Sequence, residues 1–141
     1  MATDNFKSNV PAMKAAFADW QEKALKAIGM FIEGEAVLRC PVAPVRGGNL
    51  VGSIRHIVDN SARTVTIGTP VDYAIYVEKG TGRYAVNGDG RKTAWHYVDD
   101  FGVGHWTRGQ KPQPFLTPAA EDNMKKIRDI VRKVKFANGA G

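Results

Sequence analysis

The chain has 141 residues, of which 43% are hydrophobic, so we predict a single globular domain over residues 1–141 and exclude a globally disordered protein. It carries 20 Lys and Arg residues against 14 Asp and Glu, for a formal net charge of +6, and this excess fits either phosphate or acidic protein partners or ordinary solubility. The one cysteine, Cys40, excludes an intramolecular disulfide scaffold, and its position before Pro41 indicates a structural thiol.

The N-terminus shows no signal peptide, and no apolar stretch approaches the length needed to span a membrane. We therefore expect a protein that is made and used in a cytoplasm and has no membrane partner.

The first predicted element is a long helix over residues 10–40. Apolar residues recur at mostly three- and four-residue spacing and define one face of it: Met13, Phe17, Trp20, Ala24, Ile28, Phe31 and Leu38. Pro41 ends the helix, and Gly29 and Gly34 indicate close packing or a bend. At about 1.5 Å per residue the helix is roughly 40 Å long, so it either projects towards a neighbouring subunit or overhangs the sheet.

A β-hairpin is predicted after the turn at residues 44–49. Its strands cover residues 50–59 and 64–68, with a turn at Asn60–Arg63 between them. The next stretch, VDYAIYVEKGTG at residues 71–82, fits both a strand and a helical turn, so periodicity leaves its structure open.

Residues 83–106 form a Gly-rich insertion that we predict to be a hairpin arm, with strands at residues 93–98 and 103–107 joined by Asp99–Gly102. Its aromatic residues are Trp95, Tyr97, Phe101 and Trp106. On an exposed arm these side chains would anchor an interface, whereas packed inward they would complete a small core.

The strap, TRGQKPQPFLTPA at residues 107–119, is predicted to be stiff because its prolines restrict the backbone. These prolines are Pro112, Pro114 and Pro118. Thr117 is the predicted N-cap of the last helix. The strap directs Phe115 and Leu116 towards the surface on which that helix packs, with Phe115 in the core rather than at an interface.

The last helix is predicted over residues 118–135, followed by a flexible tail at residues 136–141. Its apolar positions are Ala120, Met124, Ile127, Val131 and Val134. Most of the rest of the helix is basic: Lys125, Lys126, Arg128, Arg132, Lys133 and Lys135. These cations either complement the C-terminal end of the helix dipole or face a partner.

No catalytic residue, cofactor or metal site is predicted. The histidines have no close metal-ligand spacing, although two of them would approach across the arm: His56, His96 and His105. The glycines of NGDGRK lack the strand, helix and Lys-Ser/Thr ending of a phosphate-binding loop. A turn and a strand edge explain Asp99-Asp100 and Glu78 without chemistry, so we expect no enzyme.

Three stretches occur together in a characteristic order. They are PVRGGNLVGSI at residues 44–54, YAIYVEKGTG at 73–82 and TRGQKPQPFLTPA at 107–119. This combination resembles the tail-component family of long-tailed bacteriophages, which includes tail-completion and head–tail joining neck proteins and proteins like minor tail protein Z. The resemblance spans residues 10–135. One departure is Arg46-Gly47-Gly48, where the family more often has Thr-Gly after a small polar residue.

The resemblance implies an α+β fold in which a long N-terminal helix and a C-terminal helix pack on a small, mostly antiparallel sheet with a β-hairpin insertion. It implies a structural protein of the virion neck or tail, assembled in the host cytoplasm, with no catalytic residues or cofactor. The implied partners are further copies in a ring, hexameric by resemblance, together with head-closure and tail-terminator or tail-tube proteins. DNA would be met only in passage.

The resemblance also marks positions as interface or family-motif candidates. They are Tyr73, Tyr76, Glu78, Gly80, Thr81, Pro112, Pro114, Phe115 and Leu116, with Trp95 and Trp106 on the arm. Because basic side chains in a ring bore would grip phosphates, the cationic group should face an acidic partner or the ring exterior. That group is Lys125, Lys126, Lys133 and Lys135. A nucleic-acid-binding module using the last helix and the aromatic arm is the alternative function, and a small hydrolase is a third class.

Overall fold

A computed structural model describes residues 10–42 and 48–135. Its elements in chain order are α1 (Val10–Arg39), α2 (Asn49–Ser53), β1 (Arg55–Asp59), β2 (Thr64–Gly68), α3 (Ala74–Lys79), a 3-10 helix (Gly82–Tyr84), β3 (Trp95–Val98), β4 (Gly104–Thr107), α4 (Thr117–Glu121) and α5 (Met124–Lys133). Strands β1 and β2 pair antiparallel, as do β3 and β4. The predicted α+β class is confirmed, with its long N-terminal helix and hairpin insertion. Most of the predicted 44–49 turn and the predicted 136–141 tail lie outside the described residues.

Helix α1 matches the predicted helix closely, but its inward face differs in part from the predicted one. Its buried residues are Ala24, Gly29, Ile32 and Ala36. The prediction that Leu38 lies on this face is wrong, since Leu38 is 79% exposed. Leu38 follows the buried Ala36 by two residues, and a rotation of about 200° around the helix axis places it on the opposite side. Met13 is also exposed, because residues 10–15 are exposed throughout the first turns of the helix.

Helix α1 lies directly on the β1–β2 hairpin at Gly29. A Cβ atom on Gly29 would come within 2.6 Å of His56 Cδ2 and 2.8 Å of Val65 Cγ2, so the predicted close packing is confirmed there. At Gly34 a Cβ atom would meet nothing within 4 Å, and close packing is not its role. The hairpin places His56 and Val65 on the side of α1, while Ile57 on the outer face is 70% exposed.

The predicted strand over residues 50–59 is wrong in its first half. Residues Asn49–Ser53 form helix α2, and the strand begins only at Arg55. Leu50 and Ile54, four residues apart, are both buried, and this spacing lies on one face of a helix as well as of a strand, so it does not separate the two. The Ser53 hydroxyl donates back to the Leu50 carbonyl at 2.6 Å, a local side-chain bond that favours a turn over a sheet ladder.

The core lies between α1, α2, α3 and α4. Its buried residues are Ile32, Ala36, Cys40, Leu50, Ile54, Ala74, Phe115 and Ala119. Phe115 and Ile54 are fully buried, which confirms the predicted core position of Phe115. Burial also raises the pKa of the Cys40 thiol, as expected for a structural cysteine.

The predicted helix over residues 118–135 is two helices, α4 and α5, separated at Asp122-Asn123. Asn123 is buried, and its side-chain amide donates to the Ala119 carbonyl at 3.0 Å, a local bond of the kind that competes with a continuous helix. Met124, predicted on the apolar face, is 48% exposed. The Trp20 indole donates to the Val134 carbonyl at 3.1 Å and so ties the end of α5 to α1.

Candidate interaction site

The strap runs antiparallel to the segment Val77–Arg83, and backbone hydrogen bonds join the two. Gln113 donates to the Val77 carbonyl at 2.8 Å, Thr81 to Gln110 at 2.9 Å, and Arg83 to Arg108 at 3.0 Å. We call the paired segments 77–83 and 108–117 the latch. Residues 71–82 fitted both a strand and a helical turn, and the structure shows the helix, since α3 occupies Ala74–Lys79. The last residues of α3, from position 77, belong to the latch.

Glu78 is the polar centre of the latch. Its carboxylate accepts three backbone N–H groups, from Phe115 at 2.8 Å, Leu116 at 3.0 Å and Thr117 at 2.9 Å. Burial raises the pKa of Glu78, but the three N–H donors together outweigh this effect, so the pKa is lowered from its ordinary value of 4.5. A carboxylate at a helix N-terminus also suits the helix dipole.

This geometry corrects the predicted role of Thr117. Thr117 is the first residue of α4 rather than its cap, and no side-chain capping bond is made from the preceding Leu116. Glu78, 39 residues away from Thr117, supplies the acceptor that the helix end requires. The family-motif positions Glu78, Phe115 and Leu116 therefore meet in one contact.

Gly80, Thr81 and Pro112 meet in a second contact of the latch. A Cβ atom on Gly80 would come within 2.8 Å of Pro112 Cδ, so helix end and strap are in close contact. The Thr81 hydroxyl accepts the Gln110 N–H at 2.8 Å. Pro114 is exposed, so Pro112 is the strap proline that packs on α3.

Two glycines hold the base of the hairpin arm backbone against backbone. Gly82 has φ 60° and Gly109 φ 121°, both in the region that disfavours other residues. A Cβ atom on Gly82 would lie 2.2 Å from the carbonyl oxygen of Arg108, and a Cβ atom on Gly109 would lie 2.1 Å from the carbonyl oxygen of Thr81. The two ends of the arm are therefore fixed relative to the latch.

Within the predicted arm of residues 83–106, the two-stranded structure is confirmed for its outer part, where β3 pairs with β4 over residues 95–107. Its register places His96 opposite Trp106 and Tyr97 opposite His105. Trp106 is 73% exposed, and Val98 and Val103 are exposed as well. Trp95 at the base is half-buried. Of the two alternatives for the aromatic residues, exposure therefore holds for Trp106, while Trp95 takes an intermediate position.

The tip of the arm is ordered by Asp99. Its carboxylate accepts the N–H groups of Phe101 at 2.9 Å and Val103 at 2.8 Å, and bonds His105 Nε2 at 2.8 Å. The His105 bond is the main cause of a lowered Asp99 pKa, with the two backbone donors adding to it. These contacts fix a turn from which Phe101 projects with 75% of its surface exposed.

A cleft of about 400 Å³ lies beside α3 at the base of the arm, and we call it the arm cleft. Its apolar lining comes from Ile75, Tyr76, Val86 and Trp95. Two basic residues and one acidic residue also line it: Lys79, Arg91 and Asp89. The Arg91 guanidinium lies 5.7 Å from the centre of the Trp95 ring, within the range of a cation–π contact.

Tyr73 and Tyr76 lie outside the latch, as do Trp95 and Trp106 on the arm. Both tyrosines are exposed, at 44% and 56%, on the N-terminal part of α3 and the residue before it. Ile75 between them is exposed too. Of these three side chains, Ile75 and Tyr76 line the arm cleft, whereas Tyr73 does not.

The cationic group on the last helix is exposed at all four positions, namely Lys125, Lys126, Lys133 and Lys135. Part of its charge has a counterpart within the chain. The pKa of Glu35 on α1 is lowered first by the hydrogen bond from Arg39, and the Lys126 charge adds to this effect against the opposing effect of burial.

Sequence reasoning did not find the arm cleft or the partners of Glu78. Residues 85–91, which form one wall of the cleft, lie in irregular structure that has no periodicity to detect. The glycines on both sides of the arm were the available signal, because Gly82 and Gly109 flank it and mark a close backbone approach.

Within residues 10–42 and 48–135, no group of three or more His, Cys, Asp and Glu side chains is arranged to hold a metal ion. In the same residues, no helix combines the length and the apolar composition that crossing a membrane requires.

One family model matches the chain, over residues 4–80, and its description is "Bacteriophage HK97-gp10, putative tail-component". The match covers more than half of the chain, from before α1 to the end of α3. The hairpin arm, the strap and the last two helices lie outside it. No curated protein and no solved structure matches the chain.

Proposed function

Because the chain belongs to the HK97-gp10-like family of bacteriophage tail components, we propose that it acts in tail completion and head–tail joining, as one subunit of an oligomeric ring in the phage neck. Membership in this family indicates a structural protein of the virion that interacts with other phage structural proteins. The joining step, the ring and its hexameric size are the parts that we add.

One observation carries the proposal. The arm carries exposed aromatic side chains, since Trp106 is 73% and Phe101 75% exposed. Its base is fixed to the latch by the close backbone contacts at Gly82 and Gly109. Large exposed aromatic residues on a fixed support are typical anchors of protein interfaces. A ring subunit requires at least two different surfaces for its neighbours, and the exposed arm provides one of them.

The cationic group supports an additional contact. Helix α5 and the residue pair after it carry six Lys and Arg residues and one Asp. We propose that this surface faces an acidic partner or the outside of the ring, because phosphates of DNA in transit would bind a cationic bore and be retained.

The joining role is tested by deleting the gene from the phage that carries it and imaging the particles by electron microscopy. We expect DNA-filled heads apart from finished tails, and joined particles again when the wild-type gene is supplied in trans. Joined virions in the deletion phage would contradict a required joining role.

The proposed orientation of the cationic group has its own test by complementation. Reversing the four charges to Glu should prevent joining, and the reversed residues are Lys125, Lys126, Lys133 and Lys135. A matched control makes the same change of charge at other exposed lysines, which lie outside the latch: Lys14, Lys23, Lys26 and Lys92. Normal joining with the first variant, or equal failure of both, would remove the specific role of this surface.

The exposed cations of α5 also favour a second candidate, a nucleic-acid-binding module. It predicts a mobility shift of duplex DNA that persists at about 0.15 M salt and disappears in the charge-reversed variant. Binding that is lost between low and physiological salt would instead reflect the general charge of +6.

A further inference from the structure

The arm cleft is lined by apolar side chains and carries an excess of positive charge. Ile75, Tyr76 and Val86 are each more than half exposed, although they surround a concave volume of about 400 Å³. Lys79 and Arg91 give the lining two positive charges against one negative charge from Asp89. Its chemistry suits an apolar side chain accompanied by a carboxylate.

The tip of the hairpin arm offers that combination. Phe101 is 75% exposed, and the exposed Asp100 precedes it. Asp99 fixes the tip through its bonds to the N–H groups of Phe101 and Val103, so little conformational entropy would be lost when the tip binds.

The tip cannot reach the cleft of its own chain. Trp95 lines the cleft at the base of the arm, and β3 then runs away from it for four residues. At about 3.4 Å per residue this separates base and tip by more than roughly 10 Å, and the latch fixes the base. A tip that docks in this cleft would therefore belong to another molecule.

We propose that the Asp100-Phe101 tip of one copy docks in the arm cleft of a second copy. The phenyl ring meets Ile75, Tyr76 and Val86, and the Asp100 carboxylate lies towards Lys79 and Arg91. Tip and cleft are different surfaces, so the contact is heterologous and repeats from copy to copy, as a closed ring requires. The inference rests on the proposed ring and names the contact that builds it. The local opposite charges also offset the repulsion expected between copies that each carry +6.

Photo-crosslinking in cells that carry the deletion phage tests this contact while all assembly partners are present. The full-length protein is supplied with benzoylphenylalanine in place of Phe101, and the matched control carries it in place of Ile57, which is similarly exposed at 70%. We expect irradiation to give an adduct of twice the 15.4 kDa chain mass from position 101 only. Mass spectrometry should place the attachment within residues 75–91.

A charge exchange provides the second measurement. Asp100→Lys should lower the adduct yield about fivefold or more, because it places like charges together. A triple variant that adds Lys79→Asp and Arg91→Asp to this chain should restore the yield, because the charges of tip and cleft are then exchanged and again opposite. Circular dichroism checks that each variant is folded.

Absence of a two-copy adduct from position 101, or an equal adduct from position 57, would overturn the inference. Adducts from position 101 with another virion protein alone would also overturn it, while the joining role would stand. That role is judged separately by microscopy of the deletion phage, so the two hypotheses fail in different experiments.

Discussion

Replacing Glu78 with alanine should destabilise the protein strongly, although Glu78 lies on a short surface helix. The carboxylate accepts three backbone N–H groups of Phe115, Leu116 and Thr117 at 2.8–3.0 Å. Each hydrogen bond to a charged group contributes about 1.5–3 kcal/mol. Water replaces part of this when the group is accessible, so we expect a loss of about 2–4 kcal/mol in the free energy of unfolding.

Urea unfolding followed by tryptophan fluorescence measures this loss, because the chain has three tryptophans. A parallel melt should show the midpoint lowered by roughly 6–12 °C, at about 3 °C per kcal/mol for a domain of this size. Glu22→Ala is the matched control, since Glu22 is an exposed glutamate on α1. Equal stability of the two variants, within about 0.5 kcal/mol, would refute the argument that Glu78 holds the strap.

The pH dependence provides an independent check of the same contact. The pKa of Glu78 is lowered below 4.5 in the folded protein, so its stabilising effect is present above pH 4.5 and is lost as the pH falls through the folded-state pKa. A protonated carboxyl resembles an amide, with one acceptor oxygen. The stability difference between the wild type and Glu78→Gln should therefore shrink between about pH 6 and pH 3, and a constant difference would contradict this assignment.

Three further outcomes are expected. Gly29→Ala should lower the free energy of unfolding in urea by about 1–3 kcal/mol, because the added Cβ would come within 2.6 Å of His56. Gly34→Ala should raise the same free energy by up to about 1 kcal/mol, because the added Cβ would meet no atom within 4 Å. Cys40, buried and with a raised pKa, should react with a thiol reagent only in urea, and rapid labelling of the native protein would contradict its burial. Replacing residues 84–107 by an Asn-Gly turn, which joins the hydrogen-bonded pair Arg83 and Arg108, should leave the free energy of unfolding in urea within about 1 kcal/mol of the wild type and abolish head–tail joining in complementation.

The elements that follow from local signals could be predicted from the sequence. Proline at position 41 ends α1 as expected, and the threonine-rich alternation around Val65 gives β2. The helix at residues 49–53 was missed because its pattern of apolar residues is short, and because the Ser53 bond to Leu50 that supports it has no clear sequence signature.

The arrangement of the site could be predicted only in part. The motif order placed Glu78, Thr81 and the strap among the important residues, but their contacts join positions that are 29 to 39 residues apart. No spacing rule connects such positions. The break at Asn123 has a different origin, since the bond from its amide to the Ala119 carbonyl spans only four residues and leaves the apolar periodicity of the helix unchanged.

The latch and the arm have different physical tasks, and the location of the core separates them. Among the described residues, the core cluster takes side chains up to Val77 and then from Phe115 onward, with none from the stretch between them. The family match ends at Gly80, so the matched segment lacks Phe115 and Ala119, which are both fully buried. The strap therefore completes the core of the matched segment, while the arm adds little to it. An element that the fold does not need, yet whose tip is ordered by Asp99 and whose base is locked by two glycines, is best explained by a contact made outside its own chain.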